Sequence, residues 1–248
     1  MSDDGPTPDP GPDAPSWSSR LAELADAEPT PRRRELRRLA EATRRVLHAM
    51  VMNGAGADEL AAAADALEAV ADDLHRHAAP TTSIYEGFGE ASTSGDPHGF
   101  FDHSPMLGVA NPIAPPITLS GVDERTMMGE ATFGPAYEGP PGCVHGGFIA
   151  AAFDEVLGAV QSLGGQPGMT GTLTVRYRSP TPLYERLRFT ATLDRVEGRK
   201  ILTSGTLHVG DRLCAEAEGI FVSVDFSRMT ELRERRAEQQ ARRSSDSD

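Results

Sequence analysis

Residues 148–160, FIAAAFDEVLGAV, are apolar on every side of a helix except at Asp154 and Glu155. A helix of that kind needs burial on all sides, so the rest of the chain has to supply a wrapping surface. The runs around it are strand-like. Before the helix, PITLSGVDERTMMGEATFG alternates β-formers about a turn at GVDE; after it come GMTGTLTVRYRS, RLRFTATLDRV, KILTSGTLHV and RLCAEAEGIFVSV. The last three are separated by EGR at 197–199 and GD at 210–211, short hairpin signals that make sequence neighbours antiparallel. The expectation is an α+β domain, an antiparallel sheet of about six strands wrapped around one long buried helix. A carboxylate has no structural use inside such a helix, because desolvating it is costly unless it is paired or hydrogen-bonded. Function is to be sought at that exception.

Formal net charge is −13, which argues against nucleic acid and against an anionic membrane surface as partners. No run of about 18 apolar residues occurs, so no membrane insertion is expected. MSDDGPTPDPGPDAPS lacks the basic start and apolar core of a secretory signal, and the chain reads as cytoplasmic. Cys143 and Cys214 are the only cysteines and form no CxxC pattern. That usage fits a reducing compartment, with neither a disulfide framework nor a zinc site.

Residues 1–16, dominated by Pro, Asp and Gly, are expected to be disordered. Residues 17–78 read as a helical segment. Leu36, Leu39, Val46, Leu47 and Met50 form a stripe over 31–52 that ends at NGAG, and Leu60, Ala64, Leu67, Val70, Ala71 and Leu74 form another over 58–77. Arginines crowd the first helix and carboxylates the second, which predicts an antiparallel hairpin with both charged faces solvated. Residues 79–112 are a Gly/Pro-rich linker in which Asp96, His98, Asp102 and His103 read as loop residues rather than metal ligands. The wrapped domain spans 113–226, and 227–248 is a charged tail.

His145, Gly146 and Gly147 stand where the helix starts. Its first turn carries unpaired N–H groups and a partial positive charge, and glycine admits a ligand oxygen close to the backbone, so these amides are candidate oxyanion donors. A simple tight turn explains the glycines equally well. Asp154 follows Gly147 by seven residues, about 10 Å along the axis, whereas one reacting carbonyl must touch donor and base at about 3 Å each. The spacing favours a site shared between two subunits. Along the next strand, plain alternation sets Thr170, Thr172 and Thr174 on one face and Leu173, Val175 and Tyr177 on the other. Glu155 reads as a structural group at an interface or the partner of an arginine, and Cys143 lacks the orienting third group of a Cys–His nucleophile. There is no phosphate-binding glycine loop, GxSxG elbow or zinc spacing, so neither a metal nor a cofactor is expected.

GPPGCVHGGFIAAAFDEVLG, then MTGTLTVRYRSPTPL and LDRVEGRK, resemble the PaaI-like hotdog-fold acyl-CoA thioesterases, in particular the branch that contains the human Them proteins. The resemblance spans residues 113–225 and rests on HGG, the aspartate nine residues after the histidine and the threonine sixteen after that. It implies hydrolysis of an acyl-CoA substrate. Asp154 would be general base or nucleophile, Thr170 would support it or orient the water, and the His145-Gly146-Gly147 turn would bind the thioester oxygen. It also implies a homodimer with active sites at the interface, or a homotetramer. Between Thr170 and Arg212 eight basic residues stand against four acidic, and Arg176, Arg178, Arg199 and Lys200 among them are candidate contacts for the coenzyme A phosphates. Two other readings use the same fold. A non-catalytic acyl-CoA-binding module regulated through the helical hairpin would gain nothing from a desolvated carboxylate. A hydratase would need a histidine within the helix, and this helix has none.

Overall fold

The computed structural model describes residues 28–77, 102–165 and 168–223. Expectations for 1–16, for most of the 79–112 linker with Asp96 and His98, and for the tail lie outside the described residues. In chain order the elements are α1 (Pro31–Val51), α2 (Ala57–His75), β1 (Thr118–Gly121), β2 (Thr126–Thr132), α3 (Gly146–Gln161), β3 (Gly168–Tyr177), β4 (Arg186–Glu197), β5 (Lys200–Val209) and β6 (Arg212–Ser223). A 3₁₀ turn, Pro135–Tyr137, lies between β2 and α3, and another, Ser162–Gly164, follows α3.

The six strands form one sheet in the order β1-β2-β4-β5-β6-β3, and every pair is antiparallel. The β4–β5 and β5–β6 hairpins turn on Gly198 and Gly210, with φ of +58° and +55°, which is why glycine stands first in each two-residue turn. α3 lies against the sheet through Phe153, Val156, Leu157 and Val160, none more than 1% exposed. Phe189, Ile201, Leu207 and Phe221 meet them from the strands. Gly219 leaves room beneath the helix: a Cβ there would sit 2.7 Å from Thr203 Oγ1, 2.8 Å from the Phe221 ring and 3.3 Å from Leu157.

Burial of α3 is one-sided, against the expectation of burial all round. Phe148, Ala151, Asp154, Glu155 and Ala159 are only half-buried. The sheet covers one flank, and the small side chains on the other flank stay accessible.

Residues 102–117 run as a strap between α1 and α3. Being poor in regular structure, the strap has backbone carbonyls in want of donors, and α1 supplies them. Buried Arg44 donates from Nε to the Ala114 carbonyl at 2.8 Å and from Nη2 to that of Asn111 at 3.1 Å. Arg37 and Arg33 reach the buried Asp102 carboxylate at 2.9 and 3.5 Å. Three arginines of α1 therefore dock it to the strap, a correction to the fully solvated charged face expected from sequence. The apolar stripe is only partly used, with Leu39 37% and Met50 61% exposed. α2 is present but open: Leu60, Leu67, Val70 and Leu74 are 43–49% exposed, so the burial expected of a closed hairpin is not made among the described residues. Among the described residues no helix is long and apolar enough to cross a membrane.

On its other side the strap is tied to α3. Ser104 Oγ accepts from the Met106 and Leu107 N–H groups and donates to Glu155 Oε1 at 2.8 Å. The partner of Glu155 is thus a serine and not an arginine. Burial raises the Glu155 pKa above its ordinary 4.5; the Ser104 hydrogen bond opposes this and the nearby Asp154 charge adds to it. A raised carboxyl pKa means that the folded chain holds this proton more tightly than the unfolded chain does. The resulting stabilisation is present below about pH 4.5 and is lost as pH rises through the folded value. Glu155→Gln, which keeps an acceptor for Ser104, should therefore gain in melting temperature relative to the wild type as pH is raised from 4 to 8. A difference that stays constant across that range would contradict the assignment.

Candidate active site

His145 is the N-cap of α3. Its N–H donates to the Tyr137 carbonyl at 2.9 Å, which laces the 3₁₀ turn to the helix start. Its ring Nδ1 accepts from Gly147 N–H at 3.0 Å. That cap extends the helix back to Gly146, two residues before the expected start, by satisfying one of the orphan donors of the first turn. The Gly147 amide is thereby occupied. The Gly146 N–H finds no acceptor among the described residues, while the Gly146 carbonyl accepts from the Tyr177 hydroxyl at 2.8 Å. A Cβ on Gly146 would lie 3.2 Å from that hydroxyl, so glycine here permits a close approach.

Asp154 stands eight residues further on, about 12 Å along the helix at 1.5 Å per residue. It is half-buried, and Thr170 Oγ1 donates to its Oδ1 at 2.7 Å. Among the described residues no cation pairs with it.

The means by which Thr170 reaches the helix was not legible from alternation. Residues directly opposite in an antiparallel pair share a face. Thr170 pairs with Phe221, and the next pair is Thr172 with Ile220, so Gly171 is an extra residue on β3. The bulge flips the parity. Thr170 joins Leu173, Val175 and Tyr177, which pair with Gly219, Ala217 and Ala215 on the helix side, whereas Thr172, Thr174 and Arg176 pair with Ile220, Glu218 and Glu216 on the outer face. The three threonines are thus not on one face. Gly171 was the available signal, since a glycine inside a strand often marks a bulge.

A cavity of about 740 Å³ opens beside the start of α3. Leu47 and Val51 of α1, Met106 of the strap, Tyr137 and Phe148 make its apolar walls, with His145 and Gly147 at its edge. Tyr137 is fixed there by edge-to-face contacts with Phe133 and Phe148, centroids 5.2 and 5.0 Å apart, and by donating to the Ile113 carbonyl at 3.1 Å. Asp154 is not among the groups that line the cavity. Sequence reasoning had no sign that α1 and the strap would wall it, because no periodicity reports which distant helix packs over a turn.

The candidate phosphate contacts divide. Arg176 is bound to Glu218 at 2.6 Å and Arg178 to Glu216 at 2.7 Å, on the exposed outer face of the sheet. These carboxylates lie just beyond the basic stretch counted in the sequence and offset its excess. Arg199 donates to the Ser223 carbonyl at 3.0 Å, and Lys200 opens β5 beside it.

With this geometry in view, comparison with known proteins gives a consistent result. A family described as the thioesterase superfamily matches residues 141–216. Acyl-coenzyme A thioesterase THEM4 of Xenopus laevis is 39% identical over 105 residues, which are 41% of this chain and 46% of the relative. Human acyl-coenzyme A thioesterase THEM5 is 31% identical over 91 residues, 36% of this chain and 37% of the relative. The chain spans less than half the length of these curated relatives. A crystal structure of a thioesterase superfamily protein, 36% identical, superposes with a TM-score of 0.66 and covers 76% of this chain and 90% of its own. With one helix laid in a six-stranded antiparallel sheet and this kinship over most of its length, the chain belongs to the thioesterase superfamily and has the hotdog fold.

Proposed function

We propose that this chain hydrolyses the thioester of an acyl-CoA at a site completed by two subunits, with Asp154 as the base. The observation that carries the reading is the Thr170 hydroxyl donating to Asp154 Oδ1. It holds the carboxylate in one orientation and leaves Oδ2 free to take a proton from water. The substrate class is supported by the names of the curated relatives, acyl-coenzyme A thioesterases. In the step itself the water oxygen bonds to the carbonyl carbon as its proton passes to Asp154. The C–S bond then breaks, the coenzyme A sulfur leaves and is protonated, and a free carboxylic acid remains.

Developing charge on the carbonyl oxygen needs a donor. Of the two glycine amides considered, Gly147 N–H is taken by the His145 ring, which makes Gly146 N–H the donor and His145 the residue that positions the turn. Three features support a partner subunit. Gly146 and Asp154 are too far apart along α3 to act on one carbonyl, the flank of α3 bearing Asp154 is only half covered, and β3 is a sheet edge with no strand beyond it among the described residues. An exposed edge of that length invites a second strand. A second copy set against β3 would bring its Gly146 turn and the apolar cavity beside it towards Asp154, with the acyl group in the cavity. Arg199 and Lys200 are then the cations proposed for the phosphates, since Arg176 and Arg178 are held by glutamates.

Thiol release from a panel of acyl-CoAs tests this reading. Asp154→Asn should lose at least about 100-fold in rate, and an Asn variant with wild-type activity would overturn the assignment of the base. Thr170→Ala should lower kcat about tenfold or more, as expected for loss of a hydrogen bond to a charged group. Thr172→Ala, on the other side of the bulge, should leave kcat unchanged. Equal effects of the two substitutions would contradict the placement of Thr170 at the carboxylate.

A further inference from the structure

We propose that α2 is an arm that docks on α1 of a second copy of this chain, across the open apolar rim of its cavity. The helix has an apolar stripe and no cover among the described residues: every residue from Met52 to His77 is exposed, and Leu60, Leu67, Val70 and Leu74 are 43–49% exposed along one side. A 19-residue helix with such a stripe is marginal alone in water and takes its stability from packing.

Charge selects the surface that covers it. α2 with its C-terminal flank carries Asp58, Glu59, Asp65, Glu68, Asp72 and Asp73 against Arg76. Pairing with another α2 would bring like charges together along the whole helix. α1 carries seven arginines against two glutamates, and Arg32, Arg34, Arg38 and Arg45 face solvent. The same helix supplies apolar surface at the cavity mouth, where Met50 and Val51 are 61% and 58% exposed beside Ile113 at 56%. Opposite charge and matching apolar area thus coincide on α1. Among the described residues α2 makes no such contact, and α1 of a second copy is the partner that the charges favour. The docked helix would close the open side of the cavity, and the contact would weaken with salt.

The test uses the full chain with Leu67→p-benzoylphenylalanine, a photo-activated cross-linker placed at a position already exposed and so without cost to the fold. Irradiation should give a two-chain product whose mapped peptide joins α2 to α1. Arg38→Glu with Arg45→Glu should lower its yield about fivefold, and adding Asp65→Arg with Asp72→Arg should restore it. A one-chain product, including one joined to residues 1–27 or 78–101, would overturn the proposal. So would the absence of any cross-link, or a two-chain yield indifferent to charge reversal. The cross-link reports assembly alone, so its failure is distinguishable from failure of the hydrolysis assay.

Discussion

A carboxylate on an otherwise apolar helix survives in a folded protein only if something holds it, and here the holder is the Thr170 hydroxyl at 2.7 Å from Asp154 Oδ1. That contact depends on a backbone irregularity and not on the threonine alone. Without the extra residue at Gly171, Thr170 would stand on the outer face with Thr172 and Thr174. The Asp154 carboxylate would then have no partner among the described residues. A Cβ at Gly171 would press on Val222 at 3.1 Å and on the Ile220 carbonyl at 3.3 Å, so glycine relieves crowding at the bulge. The requirement runs from a single side chain to a local break in the ladder of an edge strand.

The second tier of organisation is polar as well. The strap over the start of α3 is held from one side by Arg33, Arg37 and Arg44 of α1 and from the other by Glu155 through Ser104. These anchors lie around an apolar cavity and set two of its walls. Adjacent acidic residues on α3 thereby take different tasks: Asp154 faces the half-open flank towards β3, and Glu155 fastens the strap. Burial raises the Glu155 pKa, whereas Asp154 meets a hydroxyl on an exposed strand.

Much of the fold was legible in the sequence because it follows from short-range rules. The period of the apolar residues marked α3, alternation marked the strands, and Gly198 and Gly210 marked hairpins whose turns need positive φ. The tie between Asp154 and Thr170 was expected from the family resemblance and not from any short-range rule. What could not be read depended on distant contacts. Arg44 looked like part of a solvated basic face, and nothing local shows that the Ala114 and Asn111 carbonyls, about 70 residues on, require its donors. The face of Thr170 was misassigned because alternation presumes an unbroken ladder. Arg176 and Arg178 looked available for phosphate until β6 brought Glu218 and Glu216 opposite them.

If one chain's carboxylate and another chain's amide act on the same carbonyl, two variants that are each dead must complement one another when their subunits are mixed. Gly146→Pro removes the proposed donor at a first helical position where proline is tolerated, and Asp154→Asn removes the base. Each variant alone should be nearly inactive. Unfolded and refolded together in equal amounts, they should recover about a quarter of the wild-type rate, since half of the dimers are then mixed and each holds one intact site. A mixture no more active than its components would contradict a shared site.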